Sequence, residues 1–182
     1  MGIYVKQERT VFTHSLLHSA AYVALKDGRE RGLWSDFMNC LVMSAFSLEA
    51  YLNFAGEQIF SYWSHVERLS VQDKLGLICG HLQIEMDFSK RPYQSIKQLW
   101  RFRNFMAHAR TETVEEEWKQ PPGVPINREL PQTQWEKLCT AEVATRIIED
   151  VEQVVRDIHT KGGLQIGALG LLHIGGGSLR NE

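Results

Sequence analysis

The chain is poor in cysteine, has no long apolar run, and carries no acid where its basic residues gather most densely. Three cysteines occur among 182 residues, Cys40, Cys79 and Cys139, and none belongs to a Cys-x-x-Cys pair. That number and spacing argue against a disulfide framework or a zinc ribbon, and predict reduced thiols in a cytoplasmic protein. No uncharged run of about 18 apolar residues exists, so no membrane span is expected. The longest uncharged stretch, residues 162–179, holds seven glycines and is a poor helix former. The opening MGIYVKQERT lacks the apolar segment of a secretory signal, and Lys6 stands where a myristoylation signal needs Ser or Thr. Gly175–Gly177 are not followed by the Lys and Ser/Thr of a phosphate loop, and no Gly-x-Ser-x-Gly occurs. The cysteines have no neighbours that would make them nucleophiles.

What remains is the composition of a globular domain, 43% hydrophobic with a net charge of -2, large enough to bury a core without staples. The periodicity predicts an all-α, up-and-down bundle of four or five helices with no competing strand pattern. Val11, Phe12, Leu16, Ala20 and Val23 mark a first helix over about 8–26, closed by Asp27-Gly28. Ser35 is the candidate cap of a second helix of about 25 residues. Ser70-Val-Gln-Asp73 resembles a capping box and starts a third helix to about His81. Ser89 to Pro92 starts a fourth, running to about Ala109. Pro121, Pro122, Pro125 and Pro131 break the pattern into a long loop over 110–132. Thr133-Gln-Trp-Glu136 reads as the capping box of a last helix ending at Gly162-Gly163. The bundle thus spans residues 1–163. Residues 164–182 form a glycine-rich apolar tail, either mobile or ordered only against a partner, with mobility favoured.

Two charges fall on apolar stripes. On a wheel of 100° per residue, Arg103 lies among Leu99, Phe102 and Met106, and Glu49 among Ala45, Leu48 and Leu52. A lone buried charge costs several kcal/mol, so Glu49 and Arg103 are expected to form a buried pair between helices two and four.

The chemistry-bearing pattern is Arg103-Asn104-(three residues)-His108, within LWRFRNFMAHA. Asn104 and His108 share a helix face. Arg103 is about 140° from His108, so one ideal helix does not bring them together. Convergence requires the helix to end near His108, the arginine to curl along the surface, or a second copy of the chain. The trio suits metal-free cleavage of RNA. Imidazole titrates near neutrality and can take the 2'-hydroxyl proton or protonate the departing 5'-oxygen. A guanidinium fork can stabilise the phosphorane-like transition state, and the amide can orient the phosphate. One histidine cannot easily perform both proton transfers, and two copies about a two-fold axis can.

These residues resemble the HEPN family (higher eukaryotes and prokaryotes nucleotide-binding domain), an all-α bundle with Arg-Asn-x-x-x-His on a late helix. SAFSLEAYLN (Ser44 to Asn53, with Glu49) and LSVQDKLGLI (Leu69 to Ile78, with Lys74) are similar to the family's second and third helices. The likeness covers about residues 10–109. It leaves out the loop over 110–132 and the tail. It implies a homodimeric, metal-independent endoribonuclease of a toxin–antitoxin or anti-phage defence system, without cofactor. Arg103 and His108 would be catalytic, Asn104 would support them, and an antitoxin or defence partner protein is implied. The alternative within the family is a non-catalytic dimerisation or binding module for a nucleotide, RNA or a partner protein.

Charge patterning agrees with RNA. From Phe88 to Arg110 there are six basic residues and no acids, so this segment carries +6 and the rest of the chain -8. Lys97, Arg101 and Arg110 are its candidate phosphate contacts. His14 and His18, four apart, have zinc-binding spacing but no third ligand nearby, and are expected on a polar face. Glu115–Glu117 read as a solvated run, and Trp118 and Trp135 as anchors of the proline-rich loop.

Overall fold

The computed structural model describes residues 3–119, 121, 123 and 130–181. The architecture is helical, as the periodicity predicts, with one addition. β1 (Ile3–Val11) is followed by α1 (Thr13–Arg31), α2 (Trp34–Ile59), the single turn α3 (Trp63–Val66), α4 (Val71–His81), α5 (Tyr93–His108), α6 (Ala141–Lys161) and β2 (His173–Asn181). α2 is the centre: α1, α4, α5 and α6 all pack on it, and α6 also touches α1 and α5. Its apolar residues therefore bury on several sides, and Leu48, Leu52 and Ala55 meet Leu75, Ile78, Ile96, Leu99, Ile147 and Val151 in one core. Tight approach to this helix needs small residues. A Cβ on Gly56 would lie 2.3 Å from the Trp63 indole, which stacks there against Phe60.

Capping explains most boundaries. The Ser70 hydroxyl accepts the Asp73 amide at 3.2 Å and starts α4 as its sequence suggests. α1 passes through Gly28, where the Phe37 ring packs close, and stops at Gly32, which adopts the left-handed conformation with φ 71°. Ser35 is not the cap of α2, which begins one residue earlier, after Leu33. Residues 110–119 contain no helix or strand, in keeping with the expected loop, whereas its Pro122 and Pro125 lie outside the described residues. The Thr133–Glu136 box forms, with Thr133 N–H donating to Glu136 Oε2 at 2.7 Å. It closes only a 3-10 turn, Glu136–Leu138, and Thr140 caps α6 separately.

The start of the first helix is also corrected. The first helix starts at Thr13, not near residue 8, because residues 3–11 pair antiparallel with residues 173–181. Part of the tail thus packs back on its own chain. Its last part is β2, and residues 164–172 form a strap over α1. His14 Nε2 lies 2.6 Å from the Gly167 carbonyl, the Ser15 hydroxyl donates to Ala168 O at 3.3 Å, and Phe12 N–H donates to Leu172 O at 3.0 Å. Gly167 has φ 86° and lies so close to the Phe54 ring that no side chain fits.

The strap also reverses α1. Of the apolar residues that predict this helix, Phe12 is buried, whereas Leu16, Ala20 and Val23 face solvent. The buried face is His14, Ser15, His18, Ala21, Leu25 and Gly28. Instead of lying on a polar outer face, His14 and His18 are 2% and 9% exposed. His18 Nε2 reaches Glu152 at 3.0 Å, and the Ser47 hydroxyl donates to His14 O. Burial holds His14 below the usual imidazole range, and His159 beside Tyr51 is lowered for the same reason. The folded state then binds fewer protons than the unfolded chain, so stability is present above the unfolded value of about 6.5 and is lost as pH falls below it. The unfolding temperature is expected to drop on acidification through that window. His14→Gln keeps a donor for Gly167 and flattens the dependence. An unchanged pH profile in that variant would assign the acid sensitivity elsewhere.

The three cysteines are buried and unpaired. Burial raises Cys40 to about 12 and Cys79 and Cys139 to about 11, leaving little thiolate at neutral pH. No helix among the described residues is long and apolar enough to cross a membrane.

Candidate functional site

α5 carries the candidate site, and its amphipathicity decides what each residue does. Ile96, Leu99, Trp100 and Phe102 turn inward. Lys97, Arg101, Asn104 and His108 are exposed and lie within about 60° of one another on the helix, a polar stripe about 16 Å long. α5 ends at His108, whose side chain makes no hydrogen bond or ion pair among the described residues.

Arg103 lies between the stripe and the core. Its Nη2 donates to Glu49 Oε2 at 3.1 Å, its Nη1 donates to Asn104 Oδ1 at 3.1 Å, and its guanidinium lies 5.8 Å from the centre of the Phe46 ring. Glu49 and Arg103 are thus brought together, but half-buried, at 28% and 31% side-chain exposure. The deeply buried charge is Lys74, 4% exposed, with Nζ 3.8 Å from Glu49 Oε1. The carboxylate of α2 therefore serves two cations, one from α4 and one from α5. Glu49, Ser70, Trp100, Arg103 and Asn104 line a cleft of about 220 Å³ between these helices. The buried Trp100 Nε1–H has no acceptor among the described residues.

The basic stretch is divided by the fold. Lys90 pairs with Asp87 at 3.3 Å, and Arg91 binds Asp150 and Glu149 on α6 at 2.9 and 3.0 Å. Lys97, Arg101 and Arg110 have no acidic partner among the described residues. Lys97 and Arg101 line a second groove, about 470 Å³, together with Arg146 of α6, whose Nη2 donates to Gln98. Sequence reasoning missed Arg146. It lies far from Lys97 and Arg101 along the chain, and only the packing of α6 on α5 brings it to their groove.

The remaining candidates lie elsewhere. Glu115–Glu117 and Trp118 are exposed, and Trp135 is half-buried with its ring edge-on to Trp34 at 5.7 Å. Among the described residues no three His, Cys, Asp or Glu side chains gather to ligate a metal. Comparison with known proteins gives no match to a family model, a curated protein or a solved structure.

Proposed function

We propose that this chain is a HEPN-like, metal-independent endoribonuclease whose site is completed by a second copy of itself, in a toxin–antitoxin or anti-phage defence setting. The observation that carries the reading is the exposed stripe Lys97, Arg101, Asn104 and His108, tied to Arg103 through the Asn104 amide. Lys97, Arg101 and Arg110 hold flanking phosphates. The base, His108 of one protomer, takes the proton of a ribose 2'-hydroxyl. The 2'-oxygen attacks the adjacent phosphorus, and the bond from phosphorus to the 5'-oxygen breaks. His108 of the other protomer protonates that oxygen. Arg103 has guanidinium N–H groups beyond those used by Glu49 and Asn104, and directs them at the phosphorane oxygens. The products are a 2',3'-cyclic phosphate and a 5'-hydroxyl.

The test is cleavage of single-stranded RNA in excess EDTA, with end-group analysis. The expected result is cyclic-phosphate ends, and resistance of a substrate with 2'-deoxyribose at the scissile position. RNA bound but uncut would favour the second reading, a non-catalytic dimeric binding module. That reading draws on the engagement of Arg103 by Glu49.

A further inference from the structure

The ribbon of β1 and β2 is the part of the molecule whose form its own contacts explain least. Each strand has nine residues, about 30 Å when extended. Residues 5–11 and 171–178 are all exposed. An isolated two-stranded ribbon is marginal in water, and its outer edges present unpaired backbone groups. Apolar exposure continues at its base, where Leu172 lines a cavity of about 680 Å³ with Tyr22 and Val23 of α1.

The two edges differ. β2 places Gly175, Gly176 and Gly177 opposite Arg9, Glu8 and Gln7, so that edge has few side chains with which to select a partner. The β1 edge is self-complementary. If β1 pairs antiparallel with a second β1 about an axis at Gln7, Lys6 of each copy faces Glu8 of the other. Val5 then faces Arg9. Lys6 and Glu8 already form an ion pair within the strand, so both side chains lie on one face. The two-fold pairing assembles four alternating charges there.

We propose that the β1 edge is a homodimerisation edge, on which a second copy of this chain adds its own β1 to make a four-stranded antiparallel sheet centred on Gln7. Opposite charges directly across strands stabilise such a pair and like charges oppose it. The inference rests on the ribbon alone. It does not rest on RNA cleavage: a monomeric wild type would count against both readings, whereas a dimer unaffected by Lys6→Glu overturns this edge alone.

The test is a charge exchange in the full chain, read by sedimentation at several concentrations. Lys6→Glu places two acids across each pair, and Glu8→Lys places two bases. Each variant alone is expected to dimerise at least about tenfold more weakly than the wild type. An equimolar mixture of the two restores opposite charges at both pairs and is expected to recover a one-to-one heterodimer. The register is checked with cysteine. Gln7→Cys brings two thiols together across the axis and is expected to yield a covalent dimer on mild oxidation, since the native cysteines are buried. Val5→Cys places its two thiols about 13 Å apart along the sheet, too far to bridge, and is expected to stay uncrosslinked. A monomeric wild type, a mixture that fails to recover the dimer, or equal crosslinking at both positions overturns the proposal.

Discussion

Replacing His108 with alanine is expected to lower RNA cleavage at least about 100-fold while leaving the unfolding temperature unchanged. The two halves of this expectation have separate causes. His108 is the last residue of α5, and its side chain is exposed and without a hydrogen-bond or ion-pair partner among the described residues, so its removal costs the fold little. If it supplies both proton transfers, one from each protomer, its loss removes base and acid together. Asn104→Ala should have a smaller effect, because the amide positions Arg103 and transfers no proton. The measurement is the single-turnover rate in EDTA, with the melting curve as control. Cleavage retained in His108→Ala would remove this histidine from the mechanism.

Glu49→Ala is expected to destabilise the fold by about 2–3 kcal/mol. The carboxylate lies 3.1 Å from Arg103 and 3.8 Å from Lys74. Arg103 is exposed enough to recover part of its hydration. Lys74 is almost fully buried, so without Glu49 its ammonium has no anion among the described residues. The cost should therefore reside mainly in Lys74. Glu49→Ala combined with Lys74→Met is expected to recover most of the loss, whereas combination with Arg103→Met is not. Urea unfolding of the singles and doubles gives the coupling energies. A single variant within about 0.5 kcal/mol of the wild type would show that water reaches Lys74 and that the carboxylate is not needed there.

Helices that bury one continuous apolar stripe, and their local stops, could be read directly from the residues. The α2 stripe, the Ser70 cap and the end of α5 at His108 all follow from periods and caps acting within a few residues. The Glu49–Arg103 contact was legible for a related reason: a charge on an apolar stripe needs a partner, and these two stripes face each other. Three other features depend on contacts between distant parts of the chain. The ribbon pairs Gln7 with Gly177, and three consecutive glycines on β2 carry no side-chain alternation to announce a strand. α1 buries His14 and His18 rather than Leu16 and Val23, because the strap supplies Gly167 O and α6 supplies Glu152 as polar partners. The +6 stretch is divided because Asp87 takes up Lys90, Glu149 and Asp150 take up Arg91, and Glu49 takes up Arg103. Local sequence specifies the forces that act within one or two helical turns. It leaves open which distant carbonyl or carboxylate arrives to satisfy a polar group, because that depends on the packing of the whole chain.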